Sequence, residues 1–200
     1  MFPNISQLSP RAQEYYRQVF QPRYEALCRA AQQVPLAILV WGPGKSQTDY
    51  YRKRLQIRYA LRQRGHAAFF SEELASATPP AASQKAIEFL QAQAADLVVV
   101  LQVSFGSVAE VHDFASFRVI SQKMLIFINE SAKDGYSFQG ALKELRILYG
   151  NVETFTDQDI VQCNLVAKVL EKVNVLQMVK YRDLTNAASW APLPVKGGAA

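Results

Sequence analysis

The feature that most constrains this chain is the run "DLVVVLQV" at residues 96–103. β-branched residues follow one another there with no polar alternation, so the segment has no face to offer to water. That pattern suits a central parallel strand covered on both sides rather than a half-exposed one. Shorter apolar runs flank it: "LAILVW" at 36–41, "HAAFF" at 66–70, "KMLIFIN" at 123–129 and "VETF" at 152–155, the last read as an edge strand. Between them lie stretches with helical spacing at 49–65, closed by Gly65, and at 83–95, 107–121 and 137–150, closed by Gly150. A long helix is predicted over 157–181 on the stripe Leu165, Val169, Val173 and Leu176. Ser9-Pro10 reads as an N-cap followed by the first helical residue, and Pro22 is expected to start a second helix after a break.

Strands that alternate with helices imply right-handed crossovers and a parallel sheet with helices on both faces. The fold class expected is α/β: a flavodoxin/Rossmann-like three-layer sandwich with a five-stranded parallel sheet in the order 2-1-3-4-5 and an N-terminal helical extension. The boundaries follow as 1–34 for the extension, 35–183 for the α/β domain and 184–200 for a tail, low in pattern, that is expected to be extended or disordered. In such a sheet, ligands bind beyond the carboxyl ends of strands 1 and 3, where the winding reverses. "GPGKS" follows strand 1 and "SFGSVAE" follows strand 3, so two glycine-containing loops converge on one crevice.

Composition removes several function classes. Charges interrupt every apolar run before the ~20 residues a membrane helix needs. The first sixteen residues lack the basic-then-apolar layout of a signal peptide, and the two cysteines, Cys28 and Cys163, have no metal-ligand spacing. A cytoplasmic protein with reduced thiols, no metal and no cofactor is expected. The net charge of +5 is too mild to argue for nucleic acid.

Gly44-Lys45-Ser46 ends like a phosphate-binding loop, but that motif needs a glycine five positions before Gly44, where Leu39 stands. "GPGKS" is therefore a tight turn that either serves the backbone alone or faces a ligand. In "SFGSVAE", Gly106 allows a sharp turn and Ser107 can cap a helix whose free N–H groups suit a hydroxyl or phosphate. Ser107 and Glu110 also match the capping box S-x-x-E, and on spacing alone the cap is the stronger reading of Glu110. Arg54, Arg58 and Arg62 form a stripe that is either a solvated or glutamate-paired face or a source of phosphate attraction, with Arg54 nearest the crevice. His112 and His66 read as structural. Tyr50 and Tyr51 read as core, or as a stacking surface for a base. Ser137 reads as an N-cap.

At "SFGSVAEVHDFA", at "KMLIFINESAKDGYSFQGALKEL" and at "AILVWGPG", the chain resembles nucleoside 2-deoxyribosyltransferase-like N-glycosidases, among them toxic effectors of some retron anti-phage systems. The likeness spans residues 36–155. It implies that Glu110 attacks, or stabilises charge at, the anomeric carbon of a nucleoside. It also implies that Ser104, Gly106 and Ser107 hold sugar hydroxyls or a 5′-phosphate and that Gly42 and Pro43 shape the base side. The deoxyribosyltransferases usually carry an aspartate near the end of strand 3. Here Gln102-Val103-Ser104 stands in that region, which puts transfer between nucleosides in doubt more than hydrolysis. Asp96, at the other end of the strand, reads as structural. A proton donor for the leaving base must then come from Asp49, Glu72 or Glu130, all at carboxyl-side loops.

The function expected is an N-glycosidase acting on a small-molecule nucleoside, nucleotide or NAD-like substrate, with anti-phage defence implied by the resemblance. The alternatives are a sensor that binds a nucleotide-derived signal without turnover, in the manner of the Rossmann-like group related to cytokinin-activating enzymes, and a scaffold with a dead pocket. Relatives often form oligomers. The N-terminal helices and the tail around Trp190 are spare surface for a homo-oligomer.

Overall fold

The structure is a computed structural model that describes residues 5–74, 83–102, 105–133, 135, 138–162 and 164–189, with the backbone alone at 105–107, 110 and 187–189. Its elements run in the order α1 (Pro10–Tyr15), a π-helical turn (Tyr16–Phe20), α2 (Gln21–Gln32), β1 (Ala37–Trp41), α3 (Thr48–Gln63), β2 (Ala67–Phe69), α4 (Ser71–Leu74), α5 (Gln84–Ala94), β3 (Leu97–Gln102), α6 (Phe105–Ala115) and α7 (Arg118–Ser121). There follow β4 (Met124–Asn129), a 3₁₀ turn (Glu130–Ala132), a π-helical turn (Phe138–Leu142), α8 (Lys143–Tyr149), β5 (Val152–Phe155), α9 (Asp157–Val161) and α10 (Asn164–Ser189). The chain divides into two compact units. Pro35–Val173 forms one; the stretches before and after it form the other.

In the larger unit all five strands pair in parallel, in the order β2-β1-β3-β4-β5. The architecture expected from the sequence is the one observed. Every residue of β3 is buried, which is why that strand could be all β-branched and apolar. Side chains alternate across the sheet. Leu39, Trp41, Val98, Val100, Ile126 and Ile128 point into one core layer with Ala92 of α5, Val111 and Phe114 of α6, Ile120 of α7 and Leu145 of α8. The opposite parity, Ile38, Val40, Leu97, Val99, Leu101, Leu125 and Phe127, is equally buried, as are Ile57 and Leu61 of α3 and Leu165 and Val169 of α10. At the amino edge, the Ala37 N–H donates to Asp96 Oδ2 at 2.8 Å, the structural role read for that residue.

The helix at 107–121 is two helices rather than one. The break at Phe117, whose backbone is extended at φ −91° and ψ 96°, has a packing cause. Phe114 and Ile120 are both buried, yet on one continuous helix residues six apart lie about 120° away from each other. The helix at 157–181 is likewise α9 followed by α10, and α10 runs on to Ser189, past the expected start of the tail. α6 begins at Phe105, two residues before the expected cap, so Ser107 is its third residue. Residues 190–200, with Trp190, and Ser104, Ser137 and Cys163 lie outside the described residues.

In the smaller unit Ser9 caps α1 as expected, its hydroxyl accepting from the Ala12 N–H. No break precedes Pro22. The helix passes through the π turn instead, where the Gln21 N–H reaches the Tyr16 carbonyl. A widened turn accommodates a proline that cannot donate its own helical bond. Gln177 of α10 is buried and donates to the carbonyls of Gln32 and Val34, closing the end of α2. No described helix is long and apolar enough to cross a membrane.

Candidate functional site

Trp41, the last residue of β1, is in register with Val100, and β3 runs two residues further, to Gln102. The chain then leaves β1 through Gly42 at φ +149°, a backbone that L side chains rarely adopt. A Cβ at this position would meet Leu101 Cβ at 3.0 Å and the Leu101 carbonyl oxygen at 3.3 Å. Glycine is thus required twice, by its dihedral and by the closeness of β3. Pro43 is buried beyond it, while Gly44, Lys45 and Ser46 are exposed. The part of "GPGKS" that fits the crevice wall is Gly42-Pro43, and the lysine that suggested a phosphate loop stands in solvent.

Trp41 ties this turn to the helix after β3. Its ring lies 5.4 Å from that of Phe114, one helical turn beyond Glu110, and its indole N–H donates to Ser71 Oγ at 2.5 Å. α6 carries Gly106, Ser107 and Glu110 as its second, third and sixth residues. A cap must precede the helix it closes, and Ser107 lies inside α6, so the spacing of Ser107 and Glu110 does not mark this helix start.

Gln102 ends β3 on the α6 face of the sheet. It is buried, and its Oε1 has no hydrogen-bond partner among the described residues. A buried amide oxygen without a donor is costly. Sequence reasoning noted Gln102 only as a missing aspartate. The signal that singles it out is that it is the one polar residue in an otherwise apolar strand.

Arg54, expected to attract phosphate, has its donors engaged. Its Nε donates to the Val40 carbonyl at 2.8 Å, and its terminal nitrogens reach Glu72 at 2.9 and 2.8 Å. The guanidinium lies 4.0 Å above the Phe70 ring, and Arg58 stacks on the same ring at 4.1 Å while pairing with Glu73. Arg62 donates to the Ala68 carbonyl and also approaches Glu73. The stripe is a glutamate-paired face that fastens α4 to α3. Burial works against ionisation of Glu73, but the bond from the Phe70 N–H and the arginine partners outweigh it and hold its carboxyl below the usual value.

The three candidate proton donors are not brought together. Glu72 is held by Arg54. Asp49 lies on the α3 face, 3.5 Å from Arg52. Glu130 follows β4, exposed and without a partner among the described residues.

Asp49 also lines a cleft of about 460 Å³ with Tyr50, Arg52, Lys53, Gln56, Asp157, Ile160 and Val161. Asp157 Oδ1 accepts from Asn129 Nδ2 at 2.9 Å and from the Tyr50 hydroxyl at 3.4 Å. Burial, then the Asp157 charge, push the Tyr50 phenol above its ordinary value. α9 is oriented by a capping box of Thr156 and Asp159. The Asn164 amide and Thr156 together hold Asp159 down to about 2. Among the described residues no group of three or more His, Cys, Asp and Glu side chains is arranged for a metal ion.

Residues 48–190, well over half of the chain, match the family described as STM3845 retron effector protein. No curated protein matches the chain.

Proposed function

This chain belongs to the STM3845 retron effector family, and on that premise we propose that it works in anti-phage defence as an N-glycosidase that cleaves the base–sugar bond of a nucleoside, nucleotide or NAD-like molecule. The observation that carries the reading is the start of α6 at Phe105. Glu110 falls in the second turn of that helix, which follows β3 at the switch point. Breaking the bond builds positive charge on the sugar. Glu110 stabilises that charge, or captures the anomeric carbon before water takes its place. Gly42 and Pro43 form the base-side wall, Ser104, Gly106 and Ser107 hold the sugar or its phosphate, and Gln102 Oε1 accepts from the substrate. Of the possible acids, Glu130 is the one with an uncommitted carboxylate at a neighbouring strand end, and it protonates the departing base. The enzyme is cytoplasmic. Tyr15, Val19, Phe20, Tyr24 and Leu27, exposed on α1 and α2 and the turn between them, support its working as a homo-oligomer.

The test incubates the protein with a panel of nucleosides, nucleotides and dinucleotides and follows free base by mass spectrometry. Release by the wild type and its loss in Glu110→Gln is the expected result. Glutamine matches glutamate in shape and helix propensity, so the fold survives. Equal release by the variant ends the proposal, and saturable binding with no release makes the protein a sensor.

A further inference from the structure

The geometry points to a second small-molecule site, distinct from α6: we propose that the cleft between α3 and α9 binds a sugar phosphate. The cleft has the size of a ligand pocket at about 460 Å³. All of its lining comes from α3 and α9 in the larger unit.

Lys53 is the first reason. The residue is 2% exposed, yet its ammonium meets no carboxylate within ion-pair distance among the described residues. The one partner it has there is the Gln162 carbonyl at 3.0 Å. A buried cation is costly unless an opposite charge accompanies it, and Lys53 is among the residues that line the cleft. Arg52, exposed and 3.5 Å from Asp49, also lines the cleft. A phosphate group supplies the negative charge that Lys53 lacks.

Asp157 is the second reason. Its Oδ1 takes both bonds from Asn129 and Tyr50 and is fixed by them, while Oδ2 has no partner among the described residues. Asp49 brings another carboxylate. Carboxylate oxygens held in place accept from neighbouring hydroxyls, which is how sugars are recognised. Inorganic phosphate would occupy only the Lys53 end. A phosphorylated sugar satisfies both ends at once, and Ile160 and Val161 cover its carbon skeleton. The proposal does not rest on the reaction at Glu110.

The experiment is calorimetry of the full chain with ribose 5-phosphate, ribose and inorganic phosphate. Saturable binding of ribose 5-phosphate, with ribose and inorganic phosphate at least about tenfold weaker, is expected. Arg52→Ala, Lys53→Met and Asp157→Asn should each weaken it about tenfold or more. Methionine keeps the length of the buried lysine. Should that variant fail to fold, Arg52→Ala, at an exposed side chain, and Asp157→Asn, which keeps the Oδ1 acceptor, decide alone. Absence of binding, equal binding of inorganic phosphate, or full affinity in both of those variants overturns the proposal.

Discussion

Gly42→Ala is the sharpest probe of how the switch point is built. The added methyl meets two obstacles. At φ +149° the backbone itself is unfavourable for alanine, and holding a residue in so sparsely populated a region costs about 1–3 kcal/mol. The Cβ would also stand 3.0 Å from Leu101 Cβ and 3.3 Å from the Leu101 carbonyl oxygen. Neither can yield easily, because Leu101 is buried in the central strand. Overpacking of that kind adds about 1–3 kcal/mol. A loss of about 3 kcal/mol is expected, or roughly 6–12 °C in melting temperature for a domain of this size. Urea unfolding followed by circular dichroism measures it, with Gly44→Ala as the control. A Cβ on Gly44 meets nothing within 4 Å and its φ is unexceptional, so that variant should be neutral or stabilised by about 0.5 kcal/mol. If Gly42→Ala unfolds within about 0.5 kcal/mol of the wild type, β1 and β3 are not locked together at this turn, and the rigid crevice wall is refuted.

Two further perturbations separate structure from chemistry. Arg54→Leu removes the bond to Val40, the fork to Glu72 and the stack on Phe70, and should cost about 2 kcal/mol. Glu72→Gln, at an exposed side chain, should cost under about 1 kcal/mol, and equal losses in the two urea curves would mean that the ion pair, not the burial of Arg54, holds α4. His66 Nδ1 accepts from the Leu36 N–H at 3.3 Å, and burial, then the nearby Arg64, lower its pKa below 6.5. The folded state therefore favours the neutral ring. The stability it contributes is complete above about 6.5 and is lost as the pH falls from there through the folded value. His66→Gln should flatten the stability profile between about pH 7 and 5, and an unchanged slope would show that the imidazole does not titrate differently on folding.

The parallel sheet was legible because each strand announces itself locally. β3 is apolar from Leu97 to Leu101, as burial on both faces demands, and the helices before two of the short flanking runs close at Gly65 and Gly150, both at positive φ in the structure. The break at Phe117 was not legible. The segment 107–121 has continuous helical spacing, and only the need to bury Phe114 and Ile120 under the same sheet divides it. Ser107 and Glu110 misled for a related reason. S-x-x-E is a local signal, but the start of α6 is set by where β3 ends, and β3 ends where its pairing with β4 stops. The arginine stripe was visible at 54, 58 and 62. Its partners were not, because Glu72 and Glu73 reach it only once α4 lies beside α3.

What the sequence by itself determined is the order and type of the elements, and through them the winding of the sheet and the place where its two glycine loops converge. Hydrophobic period and turn chemistry act between near neighbours and survive without a tertiary context. The tertiary structure alone decided which charged residues are spent on the fold and which are left for a ligand. Arg54 and Lys53 are adjacent in the sequence and both buried. One is consumed by Val40 and Glu72, while the other meets a single carbonyl at the wall of a cleft. Charge neutralisation depends on groups tens to more than a hundred residues away, and no local pattern of residues can encode where those groups will stand.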